Sequence, residues 1–276
     1  MGDFIEQTAV EEIGEGRYRA LLSTDWVTWG PAGGYVAAVA LRAAAAASSF
    51  GRPASFMCHF LSVASFDDVE LRVERRRSGR RSEALQVEMT QDGKRILDAG
   101  VWAVDATQGL EHDYTQAPDV PEVEKLKDIA ELVDRPLPGM YANFDRRPTD
   151  WQDASDRVPR EPMMREWCRF RPTPSAEDRF VDAARSVILI DAFSWPSTWP
   201  AHPSDGPSPW IAPNIDLHVR FHHDAREDEW ILLESRAELA AEGLIGTTGS
   251  VWSRDGRLIA AGSSQLFCRP RPERFR

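Results

Sequence analysis

Two polar residues in the second half of the sequence stand where the first half has apolar ones. Aligning similar strands of the two halves places Asp216 at the position of Met57, and Gln265 falls near Ala103. Both lie on predicted strands, where burying a carboxylate or an amide costs about 1 to 3 kcal/mol unless the group finds a partner. A carboxylate can exchange protons with a substrate. We therefore expect this pair to have a chemical use.

Each of these residues also has a purely structural interpretation. Apolar and polar residues alternate from Asn214 to His222, which is typical of a strand with one solvated face, and Asp216 is on the polar side. Gln265 would then be a hydrogen-bonded residue near a strand end. Asp216 and His218, two apart on one strand face, form an alternative acid and base pair of the kind that hydratases use. His218 repeats His59, however, which favours a structural role for both histidines.

A glycine-rich turn at residues 29–35 opens an alanine-rich run that ends at Ala47. Glycine interrupts the preceding strand and alanine favours a helix. Apart from Arg42 this helix is apolar nearly all round, so we expect it to be buried. Backbone N–H groups of Gly33 and Gly34 at the helix N-terminus could hold an oxygen that gains negative charge. The alternative is a tight turn whose glycines pack closely against a strand.

The elements around this helix have the pattern of a strand meander. Ser78-Gly79 and Asp92-Gly93 lie between alternating runs, which is a direct hairpin signal. The predicted strands of the first half are residues 17–23, 55–61, 69–77, 82–90 and 95–104.

The second half repeats this order of strand, helix and meander. A helix is predicted over residues 177–193 from its apolar periodicity. The predicted strands are residues 140–146, 163–170, 214–222, 229–237, 246–253 and 258–268.

Internal duplication is the economical explanation of this repeat. It divides the chain into an N-terminal domain of residues 1–105, an acidic and proline-containing linker of residues 106–138, and a C-terminal domain of residues 139–276. One short helix is predicted inside the linker, over residues 123–133. We expect the two sheets to join side by side with both long helices on one face.

Several motifs, in this order and spacing, resemble the TesB-like acyl-CoA thioesterase II family. The resemblance covers nearly the whole chain and implies an α+β fold, the tandem double hotdog, in which two antiparallel sheets joined into one each wrap a long central helix. The motifs are Trp29-Gly30-Pro31-Ala32-Gly33-Gly34-Tyr35, Trp167-Cys168-Arg169-Phe170, Ile215-Asp216-Leu217-His218-Val219-Arg220-Phe221-His222, Glu229-Trp230-Ile231-Leu232-Leu233-Glu234-Ser235, and Asp255-Gly256-Arg257-Leu258-Ile259-Ala260 leading to Gln265.

The resemblance also implies a set of residues that activate water, namely an Asp, a Thr or Ser, and a Gln in the second hotdog. Asp216 would take a proton from a water held by Gln265, and that water would attack the thioester carbonyl. The position of the Thr falls on Arg236, with Ser235 one residue earlier. Ser235 can replace the Thr only if a bulge turns its side chain toward the site. If Arg236 points into the site instead, it would lower the basicity of Asp216 and could bind a carboxylate or phosphate.

The first hotdog is expected to contribute the substrate-binding residues Trp29, Gly33, Gly34 and Tyr35. The implied activity is hydrolysis of an acyl-CoA or other acyl thioester, with CoA as part of the substrate and without a metal or redox cofactor. Two other functions stay open: hydration or dehydration of an acyl thioester, and binding of acyl-CoA or lipid without turnover. A homodimer or homotetramer is a further expectation from the resemblance.

Composition narrows the class of protein. A net charge of -11 and a pI near 5.1 argue against general affinity for nucleic acid or anionic membranes. The three cysteines, Cys58, Cys168 and Cys268, have no metal or redox spacing, so each is expected to be a small buried residue. The N-terminus does not resemble a signal peptide and no apolar run reaches membrane-spanning length, so we expect a cytoplasmic protein.

Two further features each allow two interpretations. An arginine cluster could meet the phosphates of CoA, although a solvated sheet edge that resists aggregation is the simpler explanation. The loop from Trp195 to Trp210, rich in proline and tryptophan, could shape an acyl pocket or only plug the end of the core. The clustered arginines are Arg72, Arg75, Arg76, Arg77, Arg80 and Arg81.

Overall fold

A computed structural model describes residues 2–133, 137, 139–153, 157–172, 178–203 and 208–272. In these residues, twelve strands form one antiparallel sheet, and two short strands form a separate pair. The helices are α1 (Phe4–Gln7), α2 (Gly33–Ala47), α3 (Ile129–Leu132) and α4 (Arg179–Ala192). The strands are β1 (Glu11–Gly14), β2 (Arg17–Leu21), β3 (Arg52–Phe60), β4 (Asp68–Ser78), β5 (Ser82–Gln91), β6 (Lys94–Val104), β7 (Phe144–Pro148), β8 (Met163–Phe170), β9 (Trp210–Ile211), β10 (Asp216–Phe221), β11 (Ile231–Ala241), β12 (Leu244–Trp252), β13 (Leu258–Phe267) and β14 (Arg269–Pro270).

The strand order across the large sheet is symmetric about its middle. It runs β1-β2-β4-β5-β6-β3-β10-β13-β12-β11-β8-β7, so the β4-β5-β6-β3 arrangement of the first half is mirrored by β10-β13-β12-β11 in the second. Strands β3 and β10 join the halves as antiparallel neighbours. The expected α+β double hotdog, with two antiparallel sheets joined into one, is confirmed.

The two long helices pack against each other and share one hydrophobic core with the sheet. Helix α2 is buried on nearly every side because its side chains are small. A Cβ on Gly34 would lie only 2.9 Å from the Cα of Ile188 and 3.0 Å from its carbonyl oxygen. Gly34 is therefore the point where the backbone of α2 meets that of α4.

Local features set the ends of α4. Asp178 caps the helix by accepting hydrogen bonds from the N–H groups of Phe180 and Val181. The helix therefore begins at Arg179, and predicted residue 177 lies outside the described residues. It ends at Ala192, beside the N-terminus of α2.

Two predicted elements in the middle of the chain are wrong. The single helix expected over residues 123–133 is instead a 3-10 turn (Val123–Lys125) followed by the short helix α3, because Asp128 caps a new helix start. The strand expected over residues 140–146 begins only at Phe144. Before it, a 3-10 turn at Gly139–Ala142 lies against the carbonyl of Val27, at a glycine with φ of +51°.

Residues 105–122 contain neither helix nor strand. Apart from the run 140–146, the predicted strands agree with the observed ones to within a few residues, while β1, β9 and β14 were not predicted. Cys58 and Cys168 are buried as expected, while Cys268 is only half-buried.

Candidate active site

The structure brings Asp216 and Gln265 together at the start of β10. The Asp216 carboxylate oxygen Oδ1 accepts a hydrogen bond of 2.8 Å from the backbone N–H of Gln265. The ladder between β10 and β13 changes register by one residue between the Asn214–Leu266 bridge and the His218–Ser263 pair. Such irregularities change the direction of side chains. Here the Gln265 N–H donates to the Asp216 carboxylate rather than to a backbone carbonyl of the neighbouring strand.

Two buried hydroxyls that sequence reasoning missed hold this strand start in place. Ser264 Oγ donates to the carbonyl oxygen of Asp216 at 2.6 Å. Thr247 Oγ1 in turn donates to the carbonyl oxygen of Ser264 at 3.0 Å. In the sequence both are small residues within strands, a pattern that does not separate them from ordinary core positions.

A second carboxylate lies close to this site, and it too was missed. Asp191, in the last turn of α4, accepts a hydrogen bond of 2.5 Å from the Gly34 N–H through Oδ2. Its Oδ1 accepts a hydrogen bond of 2.5 Å from the Asn214 side-chain amide. A carboxylate after the apolar run 187–190 was the available signal in the sequence, because such a residue interrupts a buried helix.

Burial has the largest effect on the pKa of the Asp191 carboxyl. Desolvation raises the pKa of its carboxyl from 3.8 to about 6, although the hydrogen bonds from Asn214 and Gly34 act in the opposite direction. Burial also raises the pKa of the Cys58 thiol, and the carboxylates of Asp191 and Asp216 add to that rise. Both carboxylates are therefore close enough to Cys58 for their charges to act on it.

Three of the predicted substrate-binding residues, Gly33, Gly34 and Tyr35, lie in the first turn of α2. The Gly34 N–H is taken by Asp191. Tyr35 is fully buried and stacks on Trp26 at 5.1 Å between ring centroids. Its hydroxyl donates to the Gln7 carbonyl and accepts from the Ser23 N–H, so it stabilises the loop before the helix.

Several exposed apolar side chains lie near the N-terminus of α2. Trp29 is 45% exposed, and the neighbouring Leu61, Val63 and Ile215 are exposed to a similar or greater extent. The Phe60 N–H donates to the Ile215 carbonyl, which joins the two halves at this rim. Val63 lies against Gly30 and Phe60 against Gly33. The apolar rim, defined as Trp29, Leu61, Val63 and Ile215, is therefore close in the chain to these contacts and to the start of β10.

Ser235 and Arg236 point to opposite faces of β11. Ser235 is buried, and its hydroxyl donates to the carbonyl oxygen of Phe193 at 3.2 Å. Arg236 forms ion pairs with Glu234 at 3.0 Å and with Glu161 at 2.9 Å. The ladder between β11 and β12 is irregular only after Arg236. Both residues therefore have structural partners, and the arginine binds two carboxylates other than Asp216.

The arginine cluster lies away from this end of the molecule. Arg75 donates to the carbonyl oxygen of Ala47, the last residue of α2, and pairs with the buried Glu83 at 2.7 Å. A helix of this length spans about 22 Å, so Arg75 lies at the far end of α2 from Gly33.

In the loop after α4, residues 196–201 form a 3-10 turn, and residues 204–207 lie outside the described residues.

The described residues contain no group of three or more His, Cys, Asp or Glu side chains arranged to hold a metal ion. Among the same residues, no helix is long and apolar enough to cross a membrane.

The fold has close relatives among solved structures. A TesB2 acyl-CoA thioesterase II from Mycobacterium marinum is 20% identical with a TM-score of 0.80, over 98% of this chain and 99% of that one. A putative thioesterase II from Thermobifida fusca is 23% identical with a TM-score of 0.80, over 98% of both chains. A hot dog protein from Alicyclobacillus acidocaldarius is 21% identical with a TM-score of 0.83, over 99% of this chain and 100% of that one. At these identities the likeness establishes the fold.

Two family models cover most of the sequence. The model of the acyl-CoA thioesterase N-terminal domain matches residues 22–104, and that of the acyl-CoA thioesterase C-terminal domain matches residues 114–267. The second match begins inside the segment that we predict to be a linker. With its double hotdog fold, this chain belongs to the acyl-CoA thioesterase family and is a thioester hydrolase.

Proposed function

We propose that the protein hydrolyses acyl-CoA thioesters with a water molecule that Asp216 activates and Gln265 positions. The observation that carries this proposal is the 2.8 Å hydrogen bond from the Gln265 N–H to Asp216. That bond fixes one carboxylate oxygen and leaves the other available to accept a proton from water. Asn214, two residues before Asp216, shares Asp191 with the Gly34 N–H at the N-terminus of α2.

The reaction would proceed through a tetrahedral intermediate. The Gln265 side-chain amide holds the water, Asp216 takes its proton, and the water oxygen attacks the thioester carbonyl carbon. Because the Gly34 N–H is held by Asp191, we assign the Gly33 N–H to the developing oxyanion. The intermediate then expels the CoA thiolate, which takes the proton from Asp216, and leaves the carboxylic acid.

The apolar rim supports an acyl substrate at this place. Its side chains offer apolar surface close to the first turn of α2, where the thioester oxygen would lie. Burial of an acyl chain there would contribute about 0.8 kcal/mol for each methylene group. The proposed reaction uses CoA only as part of the substrate and involves no metal or redox cofactor.

Thiol release from a panel of acyl-CoAs of short to long chain length tests the proposal. Wild type should release CoA, and Asp216→Asn and Gln265→Ala should each lower kcat/KM by roughly a hundredfold or more, as losses of acid–base and water-positioning groups do. Asp119→Asn and Gln116→Ala are matched controls on an exposed segment without helix or strand, and they should keep wild-type activity. Full activity in both site variants would overturn the assignment.

The same assay separates the two other functions that the sequence leaves open. Loss of enoyl absorbance without thiol release would identify a hydratase, and stoichiometric acyl-CoA binding without either signal would identify a binding protein. Both results would contradict the proposed hydrolysis.

A further inference from the structure

The Asp191 carboxylate is buried and hydrogen-bonded on both oxygens, yet the proposed reaction does not use it. In the described part of the chain its hydrogen-bond donors are a backbone N–H and a side-chain amide, and no cation pairs with it. Burial of a carboxylate among neutral donors costs free energy that an apolar residue in this turn of α4 would not. A specific use would explain why this helix carries it.

Its two partners belong to different halves of the molecule. Gly34 lies in the first turn of α2, where we place the thioester oxygen. Asn214 lies two residues before Asp216, and its amide donates to both Oδ1 and the backbone oxygen of Asp191. One carboxylate therefore connects the helix start of the first half to the strand start of the second.

The other end of the duplicated fold shows that helix packing alone does not require this carboxylate. The C-terminal turns of α2 correspond to those of α4 in the repeat, and they consist of the alanines 43–47. Between these corresponding last turns, a carboxylate is present only in α4, at the end near Asp216 and Gln265. This asymmetry associates Asp191 with the chemistry of that end.

We propose that Asp191 is a positioning residue for hydrolysis, which fixes the distance between Asp216 and the N-terminus of α2 by holding Asn214 and the Gly34 N–H. This inference rests on the proposed function. A general base and an oxyanion donor on separate elements must be held within a fraction of an ångström, and a misplacement of about 1 Å costs about a hundredfold in rate.

The first test compares steady-state kinetics of Asp191→Asn and Asn214→Ala with wild type. We expect kcat to fall about tenfold to a hundredfold in each variant while KM changes by less than about threefold, because the lost contacts position catalytic groups. Tyr141→Phe is a matched control, since the Tyr141 hydroxyl donates to the carbonyl oxygen of the adjacent Ala192 at 3.1 Å. It should keep the wild-type kcat.

The double variant Asp191→Asn/Asn214→Asp provides a rescue that a general loss of stability would not produce. It exchanges the carboxylate and the amide, so Asn at 191 can accept from the Gly34 N–H and donate to Asp at 214. We expect kcat to recover at least about fivefold relative to Asp191→Asn alone, since residues in contact couple strongly.

The pH profile of kcat gives an independent readout. A protonated Asp191 loses one of its two acceptor sites, so wild type should show an acid limb with a midpoint of about 6 that is absent in Asp191→Asn. The other titratable groups in this electrostatic network are Cys58, Tyr141 and Asp216. Burial raises the pKa values of the Cys58 thiol and the Tyr141 phenol, so neither group titrates near pH 6.

If wild type is active and Asp191→Asn keeps both the wild-type kcat and the acid limb, the positioning role is overturned. The proposed function is then unaffected. Wild type without thiol release would instead contradict the proposed function itself. A stability loss with unchanged kcat in Asp191→Asn would assign the carboxylate to folding alone, which also overturns the inference.

Discussion

Cys58 and Leu217 are paired across the junction of β3 and β10, and these two residues are equivalent in the internal repeat. A pseudo-twofold axis therefore passes between them. On one side of this pair His59 pairs with Asp216, and on the other side Met57 pairs with His218. The axis places the first carboxylate of the candidate site beside the seam where the two halves join.

Gly34→Ala should destabilise the protein, because the new Cβ would lie 2.9 Å from both the Cβ of Asp191 and the Cα of Ile188. Neither atom belongs to a flexible side-chain end. We expect the free energy of unfolding to fall by about 1 to 3 kcal/mol, as for other overpacked cores. Denaturant unfolding measures this change. Gly51→Ala, with no atom within 4 Å of its Cβ position, should have a much smaller effect, and equal losses in both variants would contradict the close packing.

The free energy of unfolding should depend on the ionisation of Asp191. Its carboxyl has a pKa of about 6 in the folded protein against an ordinary 3.8, so between these values the folded state binds the proton more tightly than the unfolded state. Its contribution to stability is full below pH about 4 and is lost as the pH rises to about 6, by about 3 kcal/mol. Denaturant unfolding of wild type and Asp191→Asn at pH 4 to 7 isolates the effect as a difference. Parallel curves would contradict it.

Ser235→Ala should affect stability more than catalysis. The buried hydroxyl donates to the carbonyl oxygen of Phe193 at 3.2 Å, and loss of such a bond costs about 1 kcal/mol. We expect kcat/KM for thiol release to change by less than about threefold, because the hydroxyl has its partner in the helix end rather than in Asp216. A loss of a hundredfold in a folded variant would instead place Ser235 among the catalytic groups.

Two ion pairs should differ widely in their contribution to stability. Arg146 and Glu166 form a buried bidentate pair with N–O distances of 2.8 and 2.9 Å, so Glu166→Gln leaves a buried charge unpaired and should cost about 3 kcal/mol or more. Glu161 pairs with Arg236 at the surface, and Glu161→Gln should cost less than about 1 kcal/mol. Thermal or denaturant unfolding of both variants tests the contrast, which equal losses would refute.

Periodicity predicted most of the fold because each half must bury one helix under one sheet. The alternating strands, the Asp-Gly and Ser-Gly turns and the alanine-rich helix carry this information locally. The helix predicted over residues 123–133 failed because capping by Asp128 is a local interaction that hydrophobic periodicity does not report. The domain boundaries at residues 105 and 138 stay a prediction.

The site was only partly accessible from sequence. Comparison of the halves singled out Asp216 and Gln265, which the structure places in contact. By sheet register the equivalent of Gln265 is Gly100 rather than a residue near Ala103, because Met57 pairs with Gly100. Asp191 escaped notice because its partners, Gly34 and Asn214, are distant in sequence and meet only when the two halves pack.

The fusion of the two halves into one chain has a consequence for how the site could diverge. In a symmetric dimer of single hotdogs every substitution appears at both ends of the central helix pair. In this chain each end has its own codons, so a costly buried carboxylate at Asp191 is introduced once, while the opposite end keeps its alanines. Tandem duplication thus allows Asp191 in the last turn of one helix without placing a second carboxylate in the equivalent turn of the other.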